Sequence, residues 1–222
     1  MPRRPFHGDE PTPTIATRAK PSLRYRAGVT LELVLASASP RRRDLLNRAG
    51  LHFEVFPAHV DERARPDETS EALASRLARE KALAVAAALP AERPCIVLGA
   101  DTLVEIDGIV LGKPADPAEA ISHLSRLVGR THRVLTAVAL ARRDTSALRE
   151  LRVESRVTLR TAAPEEIRAY VATGEPLDKA GAYAVQGEGR RFVEKVVGSE
   201  TNVIGLPLDE TLAALRELGI EA

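Results

Sequence analysis

Residues 31–50 read LELVLASASPRRRDLLNRAG, and this run sets the architecture. Leu31 to Ala36 is short and mostly apolar, which predicts a buried strand. Ser39 followed by Pro40 predicts a helix start, because serine caps well and proline is tolerated at the first helical position. Gly50 closes that helix. A strand feeding a helix is the opening unit of an α/β fold. Arg41, Arg42 and Arg43 crowd the first turn, where the partly positive helix end favours acidic residues. Either these arginines point into solvent or an anion sits among them. Small residues Ala36, Ser37 and Ala38, the Ser39 cap, free N–H groups and guanidinium forks are the parts of such an anion site.

Outward from this unit the same texture repeats. A second helix is predicted from Ser70 to Leu89, stopped by Pro90. Ile96 to Leu98 is a buried-type strand. Leu103 to Ile106 and Ile109 to Leu111 flank Asp107-Gly108, a strong two-residue hairpin signal. Asp116-Pro117-Ala118-Glu119 caps a helix running to Gly129. Two longer strands follow near Val134 to Leu140 and Leu151 to Leu159, then a helix from Pro164 to Thr173. A strand at Phe192 to Val197 and a helix from Leu208 end the pattern. Strands and helices interleave, so the fold class is α/β with a mixed sheet.

Three further places break local rules. Lys81 falls in the apolar stripe Leu77, Ala78, Val85, Ala88, so it either snorkels outward or reaches into a cleft, with Glu80 beside it as a partner. Asp101 follows Ile96-Val97-Leu98-Gly99-Ala100, where a strand ends in small residues, a common position for a ligand or general base. Counting out from the hairpin sets Thr102 opposite Lys113, which brings Lys113 near the Asp101 backbone as a phosphate contact or a structural ion-pair partner. Residues 178–187 (DKAGAYAVQG) are small, polar and glycine-punctuated, which suits close approach of backbone to a ligand. Gln186 there offers both a donor and an acceptor, matching the edge of uracil or thymine.

Composition narrows the class. Lys and Arg number 32 and Asp and Glu 31, a formal charge of +1, and aromatics are only 3%. Nucleic-acid binders usually carry a larger basic excess and stacking residues, so no nucleic-acid partner is expected. Cys95 is the single cysteine, which excludes an intrachain disulfide and a thiolate metal cluster. No apolar run approaches the roughly 20 residues that span a bilayer, and no secretory signal is present, so a soluble cytoplasmic protein is expected. Residues 1–28 hold Pro2, Pro5, Pro11, Pro13 and Pro21 with six Arg or Lys. They read as a disordered basic tail ahead of a domain over 29–222.

Taken together, Leu35-Ala36-Ser37-Ala38-Ser39-Pro40-Arg41-Arg42, Leu77-Ala78-Arg79-Glu80-Lys81-Ala82, Gly99-Ala100-Asp101-Thr102, Gly112-Lys113-Pro114, Gly129-Arg130-Thr131-His132, Asp178-Lys179-Ala180-Gly181 and residues 202–207 (NVIGLP) resemble the motif series of the Maf nucleotide pyrophosphatases. The resemblance runs from about Leu33 to Leu212. It implies an elongated mixed sheet flanked by helices around a central cleft, related to the inosine-triphosphate pyrophosphatases. It also implies a divalent cation, Mg²⁺ or Mn²⁺, with Asp101 and Glu62 as metal ligands and Asp101 as proton acceptor. Arg41, Thr102 and Gln186 match the family's specificity positions, and Glu62, Lys81 and Lys113 its cleft residues. Ser39 and Arg42 join them around the phosphates. Residues 182–187 (AYAVQG) resemble the branch acting on dTTP and UTP, whereas the 7-methyl-GTP branch carries an acid where Gln186 stands. Arg43 is an addition that the family does not require. The expected reaction releases the monophosphate and pyrophosphate. The alternative is a nucleotide-binding regulator of cell division and septum formation with incidental hydrolysis. The family often dimerises, so a homodimer is the expected assembly.

Overall fold

The computed structural model describes residues 31–220, so the tail assigned to residues 1–28 lies outside the described residues. A seven-stranded sheet forms the centre, built from β1 (Glu32–Leu35), β2 (Glu54–Val55), β3 (Cys95–Ile106), β4 (Ile109–Leu111), β5 (Thr131–Arg142), β6 (Leu148–Leu159) and β7 (Val193–Val197). Their order is β2-β1-β3-β5-β6-β7, with β4 alongside β3. β1 pairs in parallel with β2 and β3, and every other pairing is antiparallel, so the sheet is mixed. Helices α1 (Pro40–Arg48), α2 (Ser70–Ala88), α3 (Pro117–Leu127), α4 (Pro164–Val171), α5 (Glu200–Ile204) and α6 (Leu208–Glu217) flank it. Among the described residues no helix is long and apolar enough to cross a membrane.

The helix starts follow from the capping residues. Ser39 caps α1 with Pro40 at its first position, and Asp116 caps α3 by accepting from the Glu119 amide at 2.8 Å. Asp107 and Gly108 have φ of 53° and 75°, the paired positive values of a type I′ hairpin turn. Ile106 therefore faces Ile109, as counting predicts.

One expectation is corrected. The strand over Ile96–Leu98 does not end at the small residues. It continues through Gly99 to Ile106 as a single 12-residue strand, so Asp101 lies mid-strand. The small residues serve packing instead. A Cβ on Gly99 would overlap the Ala78 carbonyl oxygen and stand 2.6 Å from the Ala82 nitrogen, so glycine here lets α2 lie directly on β3.

β3 also creates the cleft. On one side it pairs with β5 along its whole length. On the other, pairing with β1 ends at Leu98 and pairing with β4 begins at Val104. Between them residues 99–103 present an open edge. Side chains alternate across a strand. Val97, Leu103 and their row pack under α2, while Ile96, Leu98 and Ala100 join the core formed with α1 and α6. A third core, around Leu124, Tyr170 and Phe192, carries the hairpin side.

Candidate active site

The open edge of β3 lies in a cleft of about 540 Å³. All nine candidates, Ser39, Arg41, Arg42, Glu62, Lys81, Asp101, Thr102, Lys113 and Gln186, line it. Asp101 and Thr102 are neighbours on β3 and point to opposite faces, so each meets a different helix.

On the α2 face, Lys81 reaches inward from the buried stripe. Its Nζ is 2.6 Å from Asp101 Oδ1 and 2.6 Å from Glu62 Oε1. Lys81 and Asp101 are each only 7% exposed, so the ammonium is not snorkelling. Glu80 is not its partner: that carboxylate binds Arg65 at 2.9 Å and Arg76 at 3.1 Å on the outer side of α2. Ala88, counted into the stripe, is exposed because the buried face recurs at Leu77 and Ala78, Lys81 and Ala82, Val85 and Ala86 and then Leu89, which leaves Ala88 beside it. Burial pushes the Asp101 carboxyl above its ordinary value, and the Lys81 charge and hydrogen bond oppose that rise. Burial also pushes Glu62 up, but Lys81, with Lys113 behind it, holds Glu62 below the usual range.

On the other face, Arg42 braces three elements. Its guanidinium donates to the Gly205 carbonyl at 2.8 Å, to Ser37 Oγ at 3.1 Å and to Thr102 Oγ1 at 3.1 Å. Burial lowers its pKa and the Asp101 charge opposes this. Three of its five N–H groups are thereby committed to protein. Thr102 Oγ1 also lies 2.9 Å from Thr136 Oγ1. Ser39 Oγ accepts from the Arg42 amide at 3.4 Å, which caps α1. Arg41 crosses the cleft to Asp178, at 2.9 Å from the carboxylate and 3.3 Å from the carbonyl.

Lys113 departs from the extrapolated register. The ladder between β3 and β4 stops at Leu111, because the Gly112 carbonyl turns to accept from the Gly181 amide at 3.1 Å. Lys113 is consequently an exposed cation on the cleft rim, and Lys81 rather than Lys113 contacts Asp101. The irregular stretch forms three 3-10 turns over Glu175–Asp178, Ala180–Ala182 and Gly187–Phe192. Among the described residues nothing hydrogen-bonds the exposed Gln186 amide, which fronts the cleft. Asp178, Lys179, Glu175 and His132 also shape this wall. Asp178, Lys179 and His132 stand in motif runs, but nothing local reveals whom they touch, and Glu175 carries no sequence signal.

The family model for Maf-like proteins matches residues 32–218. The chain belongs to the Maf family. Two relatives, each named dTTP/UTP pyrophosphatase, illustrate the likeness. That of Syntrophus aciditrophicus is 47% identical over 191 residues, covering 86% of this chain and 92% of the relative. That of Anaeromyxobacter dehalogenans is 52% identical over 190 residues, covering 84% and 94%. A nucleoside-triphosphatase (dITP/XTP pyrophosphatase) of known structure from Mycobacterium abscessus is 15% identical with a TM-score of 0.40, over 86% of this chain and 100% of that one. In this Maf protein the convergent donors near Lys81 are carboxylate oxygens. Hard oxygen donors suit Mg²⁺ or Mn²⁺, which commonly take one or two carboxylates plus substrate phosphate. No cluster of three or more acidic, histidine or cysteine side chains is found among the described residues, so substrate oxygens would have to complete the shell.

Proposed function

We propose that this chain is a nucleoside triphosphate pyrophosphatase acting on dTTP and UTP, as the names of its relatives at about half identity indicate. The observation that carries the reading is the buried Lys81 ammonium shared by Asp101 and Glu62 at the open edge of β3. A buried carboxylate whose pKa desolvation raises, with a lysine ammonium 2.6 Å away opposing that rise, is suited to accept a proton.

In this mechanism Asp101 takes a proton from a water whose oxygen bonds to the α-phosphorus, while the bond from that phosphorus to the bridging oxygen breaks and pyrophosphate leaves. Arg41, through its side chain and its free backbone amide, and Lys113 hold the β- and γ-phosphates, and Arg42 keeps α1 docked on Thr102. Asp101 and Glu62 would hold Mg²⁺ or Mn²⁺. The ion would supply countercharge for the phosphoryl oxygens. Gln186 faces the base and pairs with O4 and N3–H of uracil or thymine. The reaction is placed in the cytoplasm, with a homodimer as the assembly.

The test is hydrolysis by the purified chain of dTTP, UTP, CTP and 7-methyl-GTP with Mg²⁺ or Mn²⁺, with products identified. Monophosphate and pyrophosphate from dTTP and UTP in preference to the others is the expected result. Release of single phosphate groups, or preference for 7-methyl-GTP, would overturn it.

A further inference from the structure

The 3-10 turn that follows Gln186 has no side chain of its own to cap it. Its free amides are taken by a residue from another turn. Glu175 Oε2 accepts from the Glu188 amide at 3.0 Å, and Oε1 accepts from the Gly189 amide at 3.0 Å and from the Tyr170 hydroxyl at 2.8 Å. The fit has no slack. Gly187 has φ of 67°, and a Cβ there would sit 2.7 Å from Glu175 Oε2. A Cβ on Gly189 would overlap the Tyr170 hydroxyl and stand 2.6 Å from the Ala184 carbonyl. Tyr170 is wholly buried, and its ring packs on Phe192 at 5.2 Å. The carboxylate is therefore clamped between a fixed hydroxyl and two amides. Burial pushes its pKa up, while those amides, the hydroxyl and Lys179 hold it below the ordinary range.

Neither Glu175 nor Tyr170 lines the cleft, so neither meets a bound nucleotide in this structure. What they fix is the backbone on the C-terminal side of Gln186. The N-terminal side is held by buried His132, whose Nε2 lies 2.7 Å from the Tyr183 hydroxyl. Among the described residues, the Gln186 side chain between these two fixed points has no hydrogen-bond partner.

We propose that Glu175 is a positioning residue for base selectivity: its carboxylate sets the backbone of residues 186–189 and thereby aims the Gln186 amide at the base edge. The proposal rests on Gln186 meeting the base. Selectivity of this kind depends on donor and acceptor placement, since a polar edge is rejected only when its mispaired groups cannot shift to accommodate it.

The experiment compares kcat/KM for UTP, CTP and GTP in the parent and Glu175→Gln. The amide retains one oxygen for Tyr170 and Gly189 but turns an NH₂ toward the Glu188 N–H, so two donors face each other. The UTP-to-CTP ratio should fall roughly five- to tenfold, mainly through loss on UTP. Leu215→Ala, a buried change on α6 in a separate core and outside the cleft, lowers stability and should leave the ratio unchanged. A folded Glu175→Gln protein whose ratio stays within about twofold of the parent would overturn the proposal. If that variant fails to fold, Tyr170→Phe decides. It removes only the hydroxyl that fixes the carboxylate, and an unmoved ratio there is equally fatal. A parent with no base preference would instead sink the pyrimidine reading of Gln186.

Discussion

The two walls of the cleft are made differently. The wall proposed to hold the phosphates is built mainly on regular elements, with α1 capped by Ser39, α2 seated on Gly99 and β3 running through Asp101. Arg41, Arg42 and Lys81 reach in from helices, while Lys113 and Glu62 stand on irregular segments. The wall proposed to face the base, residues 175–189, is mostly 3-10 turns held by Glu175, Tyr170, His132 and Tyr183. Charge on a triphosphate is recognised by any well-placed cation, so side chains on helices suffice. A base edge is recognised by donor and acceptor positions, which demand a fixed local backbone. On the proposed function one wall supplies countercharge and the other supplies geometry, and their variants should fail in different ways.

The phosphate wall should fail in turnover. Asp101→Asn keeps the size of the side chain and an oxygen for Lys81, but it loses the base and a negative partner. A loss on the order of 10²-fold or more in kcat is expected, with Tm within a few degrees of the parent. Near-parental turnover measured with UTP would remove Asp101 from the chemistry. The same wall should fail in stability at Gly99. A Cβ there meets α2 backbone rather than a flexible side chain, so relief requires the helix to move. Gly99→Ala should be destabilising by about 3 kcal/mol, the upper end of overpacking effects. For a chain of this size that is a Tm drop on the order of 10 °C. An unchanged Tm would show that α2 does not sit rigidly on β3.

This contrast also explains what the sequence disclosed. Ser39-Pro40, Asp107-Gly108 and Asp116-Pro117 act through local backbone chemistry, and their elements stand where they were placed. Lys81 was visible because a cation in an apolar stripe violates periodicity. Asp101 was visible beside small residues, yet those residues mark helix contact and not a strand end. Counting the hairpin register past Leu111 puts Lys113 beside Asp101, but there the Gly112 carbonyl pairs with Gly181 instead. Nothing near Glu175 signals that it caps amides 13 and 14 residues later. The five-residue α5 and the two-residue β2 leave no signal in the sequence, being too brief for any period to show.

The base wall should fail with acid. His132 is 3% exposed, and burial lowers its pKa to about 4 from an ordinary 6.5. Between those values the unfolded chain binds a proton that the folded chain does not. Its contribution is fully present above pH 6.5 and is lost as pH falls toward 4. By pH 4.5 the loss should reach about 2–3 kcal/mol. Denaturant unfolding at pH 7.5 and 4.5 checks this against His132→Gln, which retains a polar contact to Tyr183 but cannot titrate there. The stability gap between parent and variant should change by that amount across the two pH values. Parallel acid slopes would mean that His132 is not held neutral.

The smallest effect belongs to the contact that joins the walls. Arg41 and Asp178 form an exposed ion pair across the cleft mouth, with side-chain exposures of 29% and 61%. Exposed pairs are worth about 0.2–1 kcal/mol, so Asp178→Asn should shift Tm by at most about 4 °C. Its effect on binding has a definite sign. The asparagine oxygen and the backbone carbonyl at position 178 still accept from the guanidinium, so Arg41 stays aimed. What disappears is a negative charge beside the site proposed for a polyanion. KM for UTP should fall about two- to threefold at low ionic strength, with kcat unchanged. The advantage should shrink as added salt shortens the screening length toward roughly 3 Å at 1 M. A rise in KM would instead mean that the carboxylate fixes Arg41 in place. The phosphate wall would then depend on the base wall for its geometry, and the division of labour between them would not hold.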